Sequence, residues 1–390
     1  MDFALARRVE VLPPYPFAKL RAAIAAKKAR GINVISLGIG DPDRHAPDVV
    51  VEELCRAARD RADPNKDRYG CDAPVAALPE AIKNFYHRRY GVELQPEQIQ
   101  PTMGSKDAIV KLCMGLINPG DIGVAPCPGY PTYNIGHTFA SGVTYRVRLR
   151  AEDGFLMDFD GIPQEVRRLA KILWLNYPNN PTSAVADLDF FRRAVEFGRQ
   201  NNILIAHDSA YSENTFDGYQ APSILQVPGA DEVAVEFFSL SKAFNMTGWR
   251  LGCLVGNASA VKALHLVKDN VDNGTFRAVQ FAGAKALDNA EKIFTEVNAV
   301  YKERRDLVVN ALRAQGWTVN LPRATVYVWA PVPEKYHGSS EAFATDLLEK
   351  TNVAITPGRA FGEGGEGFYR ISLTYPIEAL KEALDRIAKL

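Results

Sequence analysis

The sequence has no excess of charge, because 46 lysine and arginine residues balance 46 aspartate and glutamate residues over 390 positions. The basic residues do not gather into a run, so the sequence indicates no nucleic-acid partner. No apolar run approaches the length of a membrane span. The first eight residues have neither the apolar core of a secretory signal nor the composition of a transit peptide. We therefore expect a cytoplasmic protein without a membrane partner.

Cysteine is scarce and scattered. The five cysteines are Cys55, Cys71, Cys113, Cys127 and Cys253, and no two have the spacing of a metal-binding or redox pair. We interpret them as packing residues in a reducing compartment and predict no metal site. The rest of the composition, with 47% hydrophobic and 24% charged residues, is typical of a globular protein.

The length predicts two domains, or three, because 390 residues exceed what one compact core usually holds. Strand signals occur near residues 34 and 99 and over 121–126, 172–175, 203–206, 233–238, 325–330 and 367–373. Helical patterns cover 18–28, 49–59, 77–90, 108–116, 190–200, 258–271, 278–313 with a break near 288–289, and the segment from 377. The alternation of strands and helices up to residue 256 favours an open α/β sheet. Beyond that residue the pattern changes to longer helices and two strands, which predicts a smaller α+β domain.

Ligands of open α/β sheets bind beyond the carboxyl ends of the strands, so the polar turns are the expected site. One of these turns holds Lys242, between a strand rich in phenylalanine and an arginine eight residues further on. A lysine among aromatic and small residues loses hydration, which lowers its pKa and suits an amine that forms Schiff bases. A solvated surface loop is the alternative interpretation of the same stretch.

A second turn, at residues 102–107, leads from extended residues into a helix through Gly104, Ser105 and Lys106. Backbone donors at such a helix start can bind an anion. The same pattern is also an ordinary helix-capping signal, so both interpretations remain open at this point.

Taken together, these motifs resemble the fold type I aminotransferases of class I and II, which depend on pyridoxal 5′-phosphate, along essentially the whole chain. The segments 37–43, 176–182 and 245–250 are most like the LL-diaminopimelate aminotransferase branch. The resemblance implies a large domain with a mostly parallel sheet and helices on both faces. A smaller α+β domain would be built from both termini. We expect an N-terminal arm and part of the small domain at 1–58, the cofactor domain at 59–282 and the small domain at 283–390.

The resemblance also implies catalytic roles. Lys242 would bind the cofactor covalently and then move a proton between Cα of the substrate and C4′ of the cofactor. Asp208 would lie under the pyridine nitrogen and favour its protonated form. Asn180 and Tyr211 would hydrogen-bond the phenolic oxygen of the cofactor, and Tyr130 would stack on its ring.

The cofactor phosphate and the substrate would lie at opposite ends of the site. The residues expected to bind the phosphate are Gly104, Ser105, Lys106, Ser239, Ser241 and Arg250. Tyr69 would reach the phosphate of the neighbouring subunit, which makes the protein a homodimer with shared active sites. Arg370 would pair with the substrate α-carboxylate, and Gly40 and Tyr15 would close the substrate end.

Some positions depart from the family pattern. Ser183 stands where a glycine usually follows Pro-Thr, and Pro74, Ala76 and Pro79 replace the usual Gly, Pro and Arg after Tyr69. We hypothesise that Asp72, in this altered segment, receives the distal ammonium of a diamino acid.

The activity that the resemblance implies is transamination between an L-amino acid and a 2-oxo acid. The best-matching pair is LL-diaminopimelate with 2-oxoglutarate, in lysine biosynthesis. An alanine, aspartate or aromatic amino-acid aminotransferase is the alternative. A β-lyase on the same fold and a non-catalytic regulator that binds the cofactor are further alternatives.

Overall fold

The computed structural model describes residues 3–12, 18–70 and 75–390. Four of the residues singled out above lie outside these described residues, namely Tyr15, Cys71, Asp72 and Pro74.

The described chain alternates helices and strands along most of its length. The helices are α1 (Arg7–Glu10), α2 (Ala18–Ala29), α3 (Asp48–Arg59), α4 (Ala77–Tyr90), α5 (Ser105–Leu116), α6 (Thr132–Phe139), α7 (Gln164–Leu169), α8 (Leu188–Asn201), α9 (Leu240–Ala243), α10 (Ala258–Val271), α11 (Arg277–Asp288), α12 (Ala290–Ala314), α13 (Ser340–Thr351) and α14 (Ile377–Ile387). The strands are β1 (Ile35–Ser36), β2 (Ile99–Thr102), β3 (Ile122–Cys127), β4 (Val143–Arg148), β5 (Ala170–Leu175), β6 (Leu204–Asp208), β7 (Ala234–Ser239), β8 (Gly252–Gly256), β9 (Tyr327–Pro331), β10 (Val353–Ala354), β11 (Thr356–Pro357) and β12 (Phe368–Ser372). No helix in these described ranges combines the length and the hydropathy that a bilayer crossing requires.

Seven strands form the large sheet, in the order β2-β8-β7-β6-β5-β3-β4. Every neighbouring pair is parallel except the two that involve β8. Strand β5 shows why the sheet is buried on both faces. Its residues Ile172 and Trp174 pack into a core with α5 and α10, whereas Leu173 and Leu175 pack into a second core with α8. Because successive strand residues point to opposite faces, a continuous apolar run fills both cores. The expected α/β class is confirmed.

Two smaller sheets join the ends of the chain. Strand β1 pairs in parallel with β10, so residues 35–36 lie beside residues 353–354. Strands β11, β12 and β9 form an antiparallel sheet. The second α+β unit built from both termini is therefore confirmed, while the domain boundaries at residues 58 and 282 stay predictions.

The strong periodic patterns gave the correct elements, including the break between α11 and α12. The patterns missed several short or irregular elements, namely α1, α6, α7, α9, α13, β4, β8, β10 and β11. Helix α6 follows Pro131 and contains Gly136, both of which are typical of turns. Helix α5 begins at Ser105 rather than at Ala108, because Gly104 precedes it with a φ of +82°.

The interpretation of the cysteines as packing residues is confirmed for three of them. Cys113, Cys127 and Cys253 are buried. It is wrong for Cys55, whose side chain is exposed on α3.

Candidate active site

A cavity with a volume of about 260 Å³ lies beyond the carboxyl ends of the parallel strands. It contains the last residues of β6 and β7, Asp208 and Ser239, together with Asn176 directly after β5. The structure brings most of the sequence-predicted site residues into this one cavity: Gly40, Ser105, Lys106, Tyr130, Asn180, Asp208, Tyr211, Ser239, Ser241, Lys242, Arg250 and Arg370. The site therefore lies where an open α/β sheet is expected to bind its ligand.

Two described residues of the prediction do not line this cavity. Gly104 lies directly behind Arg250, since a Cβ at residue 104 would approach the Arg250 Nη2 atom to 2.8 Å. Tyr69 is exposed, with 63% of its surface accessible. Tyr15 and Asp72 belong to the part of the chain that is not described.

Lys242 is half-buried on α9, the single helical turn that follows β7. The Ser239 hydroxyl caps this turn by accepting a hydrogen bond from the Ser241 amide. Burial lowers the pKa of Lys242, although the charges of Tyr327 and Asp41 act in the opposite direction. Its Nζ donates a hydrogen bond to the Gly40 carbonyl. Lys242 therefore does not lie in a solvated loop. Its amine loses its proton more readily than the amine of an exposed lysine.

Asp208 is buried at the end of β6 and has one carboxylate oxygen without a partner. Its Oδ2 accepts a hydrogen bond of 2.8 Å from Tyr133, whereas Oδ1 has no hydrogen-bond partner among the described residues. Burial raises the pKa of Asp208 to about 6, against the lowering effects of Tyr133, of His207 and of the Ala210 amide. A buried acceptor without a donor is costly, so this oxygen indicates a place for a donor on a ligand.

The residues that hold Asp208 were not predicted from the sequence. Tyr133 on α6 stacks on Trp174 of β5, with ring centroids 4.9 Å apart and an interplanar angle of 11°. The Trp174 indole donates to His137 Nε2 at 2.9 Å. Asn176 donates from Nδ2 to the Asp208 carbonyl at 2.6 Å. The carboxylate is thus fixed through both its side chain and its backbone.

Tyr327 is a further site residue that the sequence analysis missed. Its hydroxyl lies 2.8 Å from the hydroxyl of Tyr211. It also fills the space beside Gly40, where a Cβ would come within 2.0 Å of the Tyr327 oxygen. A glycine at residue 40 is therefore required by packing against this tyrosine, and only the strand signal at 325–330 pointed toward it.

Arg370 is a buried cation on β12, with 3% of its surface exposed. Its Nη1 donates to Asn180 Oδ1 at 2.6 Å and its Nη2 donates to the Gly38 carbonyl at 2.8 Å. The guanidinium carbon lies 4.0 Å from the ring centroid of Tyr327 and 4.6 Å from that of Phe361. These contacts fix the plane of the guanidinium at the cavity wall, where it can pair with an anionic group.

Another part of the cavity lining combines hydroxyls, cations and a helix start. Ser105 and Lys106 begin the twelve-residue helix α5, and Ser239 and Ser241 flank the first residue of α9. Arg250 has a φ of +56° and donates from Nη1 to the Thr247 carbonyl at 2.9 Å. Amides at a helix start and a planar guanidinium both suit a phosphate.

With this geometry established, known proteins provide a comparison. The family model described as aminotransferase class I and II matches residues 32–387. An LL-diaminopimelate aminotransferase of Moorella thermoacetica is 47% identical over 386 residues, which cover 99% of this chain and 98% of that protein. The enzyme of the same name from Desulforudis audaxviator is 48% identical over 388 residues, 99% of this chain and 98% of that protein.

Solved structures of aminotransferases share the fold of this chain. The structure of apo-BacF from Bacillus subtilis superposes with a TM-score of 0.94 at 36% identity, covering 100% of this chain and 98% of that chain. Aspartate aminotransferase from Thermus thermophilus with maleate superposes with a TM-score of 0.89 at 28% identity, covering 100% of each chain. The chain belongs to the class I and II aminotransferases.

Proposed function

We propose that this aminotransferase uses pyridoxal 5′-phosphate and exchanges amino groups between LL-diaminopimelate and 2-oxoglutarate, in lysine biosynthesis. The observation that carries the cofactor assignment is the unpartnered Asp208 Oδ1 in the same cavity as Lys242. The substrate assignment is supported by full-length relatives at 43% to 48% identity that bear the name LL-diaminopimelate aminotransferase.

The residues present fit this cofactor at three points. An amine with a lowered pKa, Lys242, suits covalent attachment to an aldehyde. The Asp208 carboxylate suits a protonated pyridine nitrogen, because Oδ1 needs a donor. The start of α5 with Ser239, Ser241 and Arg250 suits the phosphate. When bound, pyridoxal 5′-phosphate supplies an aldehyde that condenses with amines and a ring that withdraws electrons from the substrate Cα.

Lys242 supplies the proton transfer. Because burial lowers its pKa, Lys242 would have a neutral Nζ available to take a proton from the substrate Cα and to give it to C4′ of the cofactor. The hydrogen bond to the Gly40 carbonyl holds Nζ beside the cavity between these two events. One amine thereby serves as both base and acid.

Asp208, Tyr211 and Asn180 set the charge of the bound ring. Asp208 Oδ1 would accept a hydrogen bond from the ring nitrogen, while Tyr133 keeps the carboxylate oriented through Oδ2. Tyr211 would turn its hydroxyl proton from Tyr327 to the phenolic oxygen, and Tyr327 would then donate to Tyr211. The Oδ1 atom of Asn180 accepts from Arg370, so the Nδ2 atom of Asn180 is the group that would donate to the phenolic oxygen. Tyr130, which lines the cavity, would lie against the ring face.

Arg370 binds the substrate α-carboxylate through a charge-assisted pair. Hydrogen bonds to Asn180 and to Gly38 orient the guanidinium before the substrate arrives. Gly40 and Tyr15, the latter outside the described residues, are proposed to close this end of the site. Asp72 is proposed to receive the distal ammonium of the diamino acid.

The active form is proposed to be a homodimer, in which Tyr69 completes the phosphate site of the neighbouring subunit. Two features of the isolated chain support this arrangement. Tyr69 is 63% exposed, and the neighbouring segment carries Phe276 with 48% exposure. Gly70 links them, since a Cβ at residue 70 would approach the Thr275 carbonyl to 2.7 Å. Exposed aromatic side chains grouped in this way are typical of an interface.

A half-reaction screen tests the proposal. Purified protein loaded with pyridoxal 5′-phosphate is expected to absorb visible light, and LL-diaminopimelate should bleach this absorption faster than alanine, aspartate or an aromatic amino acid. Lys242→Ala should lose the visible band, whereas Lys171→Ala, at a surface position on β5, should keep it. A protein that takes up no cofactor would refute the enzymatic assignment. Pyruvate release from cystathionine without a keto acid would favour the β-lyase.

A further inference from the structure

A buried contact between a histidine and a glutamate lies next to Asp208. His207, the preceding residue of β6, pairs across the sheet with Glu236 of β7. The His207 Nδ1 atom lies 2.9 Å from Glu236 Oε2, and both side chains are fully buried. On the other side of the ring, His207 Nε2 lies 2.8 Å from the Tyr177 carbonyl oxygen. Both nitrogens of the ring are thus engaged by oxygen atoms.

Hydrogen-bond chemistry limits where the protons lie. A backbone carbonyl only accepts, so Nε2 of His207 carries a proton. A second proton lies between Nδ1 and Glu236, either on the ring or on the carboxyl group. Glu236 already accepts from the Tyr86 hydroxyl at 2.9 Å, the Ser223 hydroxyl at 3.0 Å and the Ile224 amide at 3.1 Å. A carboxylate that receives three other donors is stabilised in its charged form, which leaves the second proton on the imidazole.

The other titratable groups that face this pair do not compete for that proton. Burial, followed by the charge of Glu236, raises the pKa of Tyr86, so its hydroxyl stays a donor. The same two causes raise the pKa of the Cys253 thiol, which stays neutral. Tyr90 directs its hydroxyl to Glu213 at 2.7 Å. Asp208 is the remaining neighbour, and its carboxylate faces the cavity.

We propose that His207 is a positioning residue for amino transfer, which as an imidazolium paired with Glu236 holds the adjacent Asp208 carboxylate in its ionised form. The inference rests on the proposed function of Asp208. In this proposal His207 and Glu236 act on Asp208 through their charges and make no hydrogen bond to the ligand. The geometry is supported by the lowering effect of His207 on the pKa of Asp208, which burial alone would raise further.

The protonation of His207 is measurable in the cofactor-free protein by long-range proton–nitrogen correlation spectra of 15N-histidine. We expect His207 to have both ring nitrogens protonated at pH 8. His137 is the matched control, because it is also buried but accepts from Trp174 at Nε2, and burial lowers its pKa to about 4. It should be a neutral ring protonated at Nδ1. A His207 ring with one unprotonated nitrogen would overturn the proposal.

The effect on Asp208 is measured by its 13C carboxyl resonance, identified by its absence in Asp208→Asn. In His207→Asn the titration midpoint of Asp208 should rise by about one pH unit, the size of shift that a neighbouring opposite charge causes. His137→Asn disturbs the packing near Tyr133 but removes no charge. The titration midpoint of Asp208 should therefore be the same as in the wild type. Equal shifts in both variants would show a packing effect and refute the proposal.

Glu236→Gln provides an isosteric second route if His207→Asn does not fold. It should leave His207 with one ring proton and raise the Asp208 midpoint by a similar amount, and an unchanged midpoint would contradict the proposal. These measurements need no cofactor. Failure to take up pyridoxal 5′-phosphate would therefore refute the proposed function and leave the result on His207 intact.

Discussion

The hydroxyls of Tyr211 and Tyr327 form a hydrogen bond of 2.8 Å at the centre of the candidate active site. Their acidities differ. Burial and the neighbouring Tyr327 raise the pKa of Tyr211, whereas the charges of Arg370 and Lys242, with the Tyr211 hydrogen bond, outweigh burial and lower the pKa of Tyr327. Tyr211 therefore keeps its proton, and Tyr327 is the better acceptor. The guanidinium of Arg370 over the Tyr327 ring connects this pair to the proposed carboxylate site.

Tyr327→Phe should lower kcat about fivefold, because it removes a buried hydrogen bond of about 1 kcal/mol that orients Tyr211. The ring and its contact with Arg370 remain, so KM for the amino acid should change little. Steady-state kinetics of both substrates measure the effect. Tyr301→Phe is the control, since the buried Tyr301 hydroxyl has no hydrogen-bond partner among the described residues. Equal kcat values for the two variants would show that the Tyr327 hydroxyl has no role.

Ser183 explains one departure from the family pattern. It has a φ of +59°, which a glycine adopts without strain, yet its hydroxyl contacts Thr325 Oγ1 at 2.7 Å and donates to the Tyr327 carbonyl at 3.0 Å. The serine therefore has a strained backbone, and its hydroxyl makes two hydrogen bonds to the segment that carries Tyr327.

Ser183→Ala should lower the free energy of unfolding by about 2 kcal/mol, because it loses both bonds and keeps the strain. Ser183→Gly should recover about 1 kcal/mol of that loss by removing the strain. Urea unfolding of the two variants separates the contributions. If alanine is as stable as the wild type, the two hydrogen bonds contribute nothing measurable.

Gly104→Ala should weaken cofactor binding by at least about tenfold, because the new Cβ would lie 2.8 Å from Arg250 Nη2 and displace the proposed phosphate ligand. The φ of +82° also imposes a backbone cost of about 1–3 kcal/mol on alanine. Gly31→Ala is the matched control, since Gly31 has a φ of +76° and nothing within 4 Å of the added Cβ. Titration of the cofactor-free proteins with pyridoxal 5′-phosphate measures affinity. Equal affinities would mean that Arg250 does not bind the phosphate.

The features predictable from the sequence are those encoded in local patterns. Lys242, Asp208 and the turn at 102–107 each follow a recognisable strand, and the parallel sheet brings these strand ends together. The alternation of short apolar strands and helices was sufficient for the fold class. The break between α11 and α12 was predicted from residues 288 and 289 alone.

The supporting contacts were not predictable, because they join residues far apart in the sequence. Tyr133 reaches Asp208 over 75 residues, and Tyr327 reaches Tyr211 over 116 residues. A lone tyrosine in a sequence is usually a packing residue, and only tertiary structure reveals that its hydroxyl meets a buried carboxylate. The missed helix α6 has a different cause, because Pro131 and Gly136 locally indicate a turn.

Asp208→Asn should stabilise the cofactor-free protein above pH 6 while abolishing most activity. Burial raises the folded-state pKa of Asp208 to about 6, above its unfolded value of about 4, so the folded state binds the proton more tightly. The carboxylate therefore destabilises the fold by about 3 kcal/mol above pH 6, and this cost disappears as the pH falls from 6 to 4. Urea unfolding at pH 8 and at pH 4 should show an advantage of asparagine at pH 8 only. With bound cofactor the order should reverse, because the wild-type carboxylate then pairs with the ring nitrogen. An asparagine variant that is less stable at pH 8 without cofactor would show that Asp208 is satisfied by the protein itself.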